Sequence, residues 1–344
     1  MGKNEGMPKG IGMLGPAMFA LFLLLLDACS HAPPKLTTLP WTDTPPAYND
    51  ANTDGPVIDS PSQKAREEYL KGDYPRATSH LETVLFLRPN SSDPWNRYLL
   101  YYCYLITGRY QEALETAKTL IKLDAFQPLP YTQLGLAELW LGHPDIAVQN
   151  LSRALDFESH LPRTHFYLAL AYAALGQNDE RDRALDTGVK EYEEILKRNP
   201  DDFTANYELA ALLLYWNRQL GRASGLLEKA QENFLKDGPA GHLGLDADAQ
   251  LSANHQLYSQ YYLPLLEGIL LYRSGNAGDA VQRLLQASLN LPSGAKADAA
   301  EMYFYLGSGY QKLGNTAAAK NFFRESMQND PTGPYAKTAA QGIL

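Results

Sequence analysis

The sequence predicts an all-α fold of stacked helical pairs, because one pattern of residues recurs along most of the chain. The segments "YTQLGLAELWLGHPDIAVQNLSRAL" from Tyr131 and "YFYLGSGYQKLGNTAAAKNFFRESMQNDP" from Tyr303 align in register. Glycines recur at a constant interval, with 34 residues from Gly108 to Gly142 and 34 from Gly142 to Gly176. Glycine is typical of the left-handed position that ends a helix. The interval therefore predicts a helix, a turn and a second helix in each unit.

The residue types within a unit explain why the two helices of a pair pack together. Glycine or alanine on one helix lets the other approach closely, and bulky residues at helical spacing fill the space between them. Each pair leaves one apolar face uncovered, so neighbouring pairs must stack into a curved solenoid. In the last copy the recurring positions are Tyr303, Leu306, Gly307, Tyr310, Gly314, Ala319, Phe323 and Pro331.

These offsets and the 34-residue period are similar to those of the tetratricopeptide repeat family. The resemblance covers roughly residues 61–344 and implies a right-handed superhelix of helix-turn-helix units. Two units match more loosely: Arg181 occupies a position for a small residue, and Ala223 lies one place late. We expect about five units over 61–235, a connecting loop over 236–256, and two units with a capping helix over 257–344.

The first 28 residues have the layout of an export signal. Lys3 and Lys9 precede an apolar segment from Ile11 to Leu26, a charged start followed by an apolar run. The apolar segment is shorter than the roughly 20 residues that a spanning helix needs. We therefore expect residues 1–28 to be a signal peptide that is removed.

The residues around Cys29 resemble the lipobox of bacterial lipoproteins, in which cleavage precedes a cysteine that carries the lipid. Leu26 and Ala28 fit this pattern, whereas Asp27 departs from it. The resemblance implies lipidation of Cys29, and Ser30 after the cysteine favours the periplasmic face of the outer membrane. The alternative is cleavage after Ala32, which would yield an unlipidated periplasmic or secreted protein.

The segment 29–60 is predicted to be an extended tether between the anchor and the folded part. Residues 31–61 contain seven prolines and no sustained apolar period. Proline-rich chains of this kind act as spacers.

Composition and charge exclude some classes of function. The chain of 344 residues has a net charge of −9, which argues against nucleic acid as a partner. If Cys29 is lipidated, Cys103 has no cysteine to pair with, so we expect a buried apolar residue. His160 and His165 are five residues apart, which does not suit a two-histidine metal site on one helical face. We predict no cofactor, no metal and no enzymatic activity.

The tetratricopeptide resemblance also implies a groove lined by the first helix of each pair. In register, the candidate residues for partner binding are Tyr98, Tyr102, Phe166, Leu170 and Tyr207. An aromatic and aliphatic wall suits a partner that buries apolar surface. The alternative is that these side chains pack on neighbouring helices, since an apolar stripe at helical spacing is usually core.

Together these features predict a scaffold that binds other proteins of the cell envelope. By resemblance, small repeat lipoproteins support secretin or pilus assembly, regulate peptidoglycan enzymes or scaffold polysaccharide export, and the residues select none of these. A glycan-binding module is the alternative from another class, because tyrosines also suit sugar rings.

Overall fold

The computed structural model describes residues 60–88, 94–237, 257–333 and 335–343. Over these ranges the chain forms fifteen α-helices and no β-strand. The first ten helices are α1 Ser60–Leu70, α2 Tyr74–Leu87, α3 Trp95–Ile106, α4 Tyr110–Leu123, α5 Pro128–Trp140, α6 Pro144–Phe157, α7 Pro162–Ala174, α8 Asn178–Arg198, α9 Phe203–Tyr215 and α10 Leu220–Asp237. The last five are α11 Leu263–Arg273, α12 Ala277–Ser288, α13 Lys296–Lys312, α14 Thr316–Asn329 and α15 Ala336–Ile343.

These helices stack as consecutive pairs, from α1–α2 to α13–α14, and α15 packs on the last pair. The predicted fold class is confirmed: the described chain is an all-α tetratricopeptide-repeat solenoid. A π-helical turn, Tyr258–Tyr262, leads into α11, and the sequence pattern did not predict it. The predicted signal peptide, Cys29 and the tether lie outside the described residues. Lys236 and Asp237 end α10, and the rest of the predicted loop, 238–256, is also outside them.

The turn glycines of the sequence pattern have the left-handed conformation that the pattern predicts. Gly108 has φ +77° and Gly142 has φ +84°. The amide after each glycine reaches back five residues, with Arg109 N donating to Tyr104 O at 2.8 Å. The pair α9–α10 has no glycine there, and Asn217 takes its place with φ +52°. Asparagine tolerates this region better than most residues, so the fifth turn forms without the expected residue.

Glycines inside the first helices allow side chains of the second helices to interlock. A Cβ atom on Gly135 would lie 2.6 Å from Leu151 Cγ, and one on Gly268 would lie 2.6 Å from Leu284 Cγ. A Cβ atom on Gly307 would lie 2.7 Å from Phe323 Cδ1. The close approach of the two helices in these pairs therefore depends on glycine, as the sequence pattern predicted.

Alanine at Gly268 is expected to destabilise the protein, although alanine usually favours a helix. The added methyl group would overlap Leu284, and overpacking of this kind costs about 1–3 kcal/mol. The matched control is Gly225→Ala in α10, where a Cβ atom would meet nothing within 4 Å. That change should stabilise by about 0.5–1 kcal/mol through the glycine effect alone. Urea unfolding of both variants checks the prediction, which fails if both changes shift stability in the same direction.

Candidate interaction surfaces

The five residues predicted to line a groove all lie in the interior. Tyr98, Tyr102, Phe166, Leu170 and Tyr207 are each at most 3% exposed. Burial raises the pKa of the Tyr102 and Tyr207 hydroxyls. Burial, with a smaller contribution from Asp124, raises the pKa of Tyr98 to about 12. These side chains are neutral at physiological pH and are not accessible as an open wall.

Their contacts are with neighbouring helices of the same chain. The Tyr102 hydroxyl accepts a hydrogen bond from Gln133 Nε2 at 3.1 Å, and its ring meets that of Tyr101 edge-on at 5.1 Å. The Tyr207 ring lies 5.8 Å from the Tyr258 ring, which belongs to the π-helical turn. These contacts agree with the packing alternative, and the role of the five residues in partner binding stays a prediction.

The first helical pairs contact the last ones through hydrogen bonds between buried side chains. The Tyr110 hydroxyl donates to Asp330 Oδ2 at 2.9 Å, across 220 residues of sequence. The hydroxyl of Tyr74 lies 3.2 Å from that of Tyr262, and Tyr262 donates to Asp298 at 3.3 Å. Tyr74 and Tyr110 begin α2 and α4, so these hydrogen bonds join the second helices of the first two pairs to the last two pairs.

A partly buried ionic cluster joins three consecutive helices of the array. Arg163 on α7 pairs with Glu208 on α9, and the Tyr192 hydroxyl on α8 donates to Glu208 at 2.6 Å. Burial disfavours the charged guanidinium, but the Glu208 carboxylate more than offsets this and the pKa of Arg163 is raised. The cluster includes no nucleophile beside a base, so its chemistry is that of a structural ion pair.

The histidines and the cysteine of the folded part have structural surroundings. His165 Nδ1 lies 3.0 Å from Glu191 Oε2, whereas His160 lies 4.0 Å from a different carboxylate, that of Glu194. Over the described ranges, no group of three or more His, Cys, Asp or Glu residues could hold a metal ion. Cys103 is buried, as predicted, and burial raises the pKa of its thiol to about 12. A thiol with so high a pKa is not an activated nucleophile.

Exposed apolar side chains instead mark one edge of the first two pairs. Phe86 is 84% exposed near the end of α2, and Phe126 is 81% exposed just after α4. Leu87 and Leu123 lie beside them and are also exposed. Because α2 and α4 are the second helices of neighbouring pairs, their carboxyl-terminal ends lie at the same edge of the solenoid. We call Phe86, Leu87, Leu123 and Phe126 the apolar edge. In the sequence, these residues are apolar but lie outside the helical positions that pack in the core. The groove prediction considered only the first helix of each pair and so did not include them.

No helix of the described chain is long and apolar enough to cross a membrane.

Comparison with known proteins supports the repeat fold and shows nothing more specific about function. Residues 300–332, within and just after the last helical pair, match the tetratricopeptide repeat family. No curated protein sequence matches the chain significantly.

One solved structure with a similar fold is a chain of the APC/C hetero-tetramer Cut9-Hcn1, with a TM-score of 0.52 and 14% sequence identity. The alignment covers 81% of this chain and 47% of that chain. A tetratricopeptide repeat protein from Parabacteroides merdae ATCC 43184 has TM-score 0.43 and 15% identity, covering 82% of this chain and 97% of that one. This chain thus spans about half of the first structure's length, and at this identity the likeness shows the fold alone.

Proposed function

We propose that this protein is a non-enzymatic scaffold that binds other proteins. The observation that carries the proposal is the tetratricopeptide-repeat solenoid with four exposed apolar side chains at the apolar edge of its first two pairs, since exposed apolar surface is typical of interaction sites. The partner we infer contributes an apolar segment to this edge. The glycan-binding module stays the alternative, and retention on cell-wall material after proteins are stripped would favour it.

We further propose that the scaffold works in the bacterial cell envelope, attached to the outer membrane by lipid at Cys29. The support is in the sequence: a signal-like start over 1–28, the lipobox-like Leu26 to Cys29, and the proline-rich tether. Such a protein would support the assembly or regulation of an envelope complex, of a secretin or pilus, a peptidoglycan enzyme or a polysaccharide exporter.

In-cell crosslinking followed by affinity capture and mass spectrometry tests the scaffold. The wild type is compared with Phe126→Asp, which places a charge on the apolar edge, and with Leu289→Asp as the matched control. Leu289 is 84% exposed, close to the 81% of Phe126, and follows α12, so both changes add a charge to an exposed apolar site. We expect one dominant envelope protein that is captured by the wild type and Leu289→Asp, and at least tenfold less by Phe126→Asp.

Two outcomes would contradict the proposal separately. Enrichment of no protein above an unrelated tagged lipoprotein would remove the scaffold function, and equal capture by both variants would remove the apolar edge as its site. The location is tested by membrane fractionation of the wild type and Cys29→Ser. If both fractionate alike, the anchor at Cys29 is wrong.

A further inference from the structure

We propose that the contact between the first and last helical pairs is a reversible latch. It opens while the individual pairs stay folded, and so gives solvent access to the tyrosine-lined interior. This inference goes beyond the proposed function, because it concerns a motion of the chain itself and requires no partner.

The latch joins the turns and helix starts of the first two pairs to those of the last two. In addition to the Tyr110–Asp330 and Tyr74–Tyr262–Asp298 hydrogen bonds, the backbones of Asp73 and Ser293 form an isolated parallel β-bridge. Neighbouring pairs elsewhere are joined along whole helices. The latch joins the ends of the array at fewer points, through these polar contacts and the close approach of Gly72 to Pro292 and Leu257. The latch residues are Asp73, Tyr74, Tyr110, Tyr262, Ser293, Asp298 and Asp330.

The polar chemistry of the latch argues for a contact that can open. Asp298 and Asp330 are buried, and taking carboxylates out of water is costly even when they are hydrogen-bonded. Burial and the nearby Asp330 raise the pKa of Tyr110, so its hydroxyl remains a donor to this carboxylate. Apolar residues of similar volume would seal a permanent contact more firmly. When the latch opens, the carboxylates and the phenol hydroxyls are hydrated again.

The enclosed interior is also incompletely satisfied. Among the described residues, Gln133 Oε1 and the hydroxyls of Tyr167 and Tyr261 are buried without a hydrogen-bond partner. A buried polar group without a partner forfeits its hydration. Gln133 lies on α5, Tyr167 on α7 and Tyr261 in the π-helical turn. The closed state therefore has a polar cost that opening relieves.

The turns of the latch meet so closely that a single methyl group should disturb them. Gly294 has φ +71°, and a Cβ atom there would lie 2.6 Å from Cγ of Pro75, a rigid ring on α2. Gly142 has φ +84°, and a Cβ atom there would meet nothing within 4 Å. Both Gly294→Ala and Gly142→Ala place an alanine at a positive φ, so they share the same backbone strain. Only Gly294→Ala also adds a methyl group that overlaps Pro75 in the latch.

Amide hydrogen exchange of the full chain tests the latch from both directions. We expect Gly294→Ala to speed exchange in α3 and α13 at least tenfold relative to Gly142→Ala. A disulfide that holds the latch closed provides the opposite change. It is introduced with Asp73→Cys and Ser293→Cys in a chain that also carries Cys29→Ser and Cys103→Ala. Bridged backbones lie about 5 Å apart, a separation that a disulfide can span. Oxidation should slow exchange in α3 and α13 at least tenfold relative to the same variant reduced, and leave α6 unchanged.

The latch is overturned if oxidation leaves α3 and α13 unchanged, or slows α6 equally, because the interior would then open only with global unfolding. Should Gly294→Ala fail to fold, the comparison of oxidised with reduced protein still decides. The proposed scaffold can fail in the crosslinking experiment without affecting this result, since no partner is present in the exchange measurement.

Discussion

Phe323→Ala is expected to lower the free energy of unfolding by about 3–5 kcal/mol, the range for removing a fully packed aromatic side chain. Phe323 is buried with Ala319 and Ala339 in a small apolar cluster that joins α14 to α15. Its ring also fills the space that Gly307 leaves on α13 and lies 6.0 Å from the ring of Phe304. Removal of the ring leaves a cavity between α13, α14 and α15.

The neighbouring residue provides a matched control for this prediction. Phe322 is half-buried and stacks on Tyr310 at 5.4 Å, so Phe322→Ala should cost roughly 1–1.5 kcal/mol. Urea unfolding measures both variants, and hydrogen exchange over 296–343 shows whether the loss is local, as nearest-neighbour stacking of repeats predicts. Equal losses for the two variants would show that the cluster between α14 and α15 is not packed as described.

Features set by local sequence were predictable. Gly108 and Gly142 end helices because the left-handed conformation is cheap for glycine, and their interval defined the repeat. Gly307 opposite Phe323 follows from the same register, because an interlocking pair needs one small and one bulky residue at fixed offsets. The unit with Asn217 was harder to recognise, because asparagine replaces the glycine there.

The surroundings of the inner residues were not predictable, since they depend on contacts that no local pattern encodes. Tyr110 and Asp330 are separated by 220 residues, and each is an ordinary member of its own repeat. The register alone places Tyr102 and Tyr207 on the inner face of the array. In the structure both side chains are buried, Tyr102 beside Gln133 and Tyr207 beside Tyr258. Their aromatic character was a sign of burial rather than of an exposed binding site, and the exposed apolar residues lie at helix ends, where the groove positions do not reach.

Glu208→Leu is expected to cost about 3–5 kcal/mol, because it leaves a buried charge without its counterion. Arginine stays protonated under all ordinary conditions, so Arg163 cannot escape by becoming neutral. The side chain of Arg163 is 18% exposed, which limits its access to water. Tyr192 also loses its acceptor, since its hydroxyl donates to Glu208 at 2.6 Å. Both consequences act on the same three helices, α7, α8 and α9.

The double variant Arg163→Met, Glu208→Leu separates the cost of an orphaned charge from the value of the ion pair. Replacing a whole buried pair by apolar residues of similar volume is often neutral or stabilising. We therefore expect the double variant to recover most of the stability that Glu208→Leu loses, in urea unfolding at neutral pH. Tyr192→Phe, which removes only one hydrogen bond to a charged group, should cost about 1.5–3 kcal/mol. If the double variant is as unstable as Glu208→Leu, the loss arises from packing around α9, and the ion pair is not what holds these helices together.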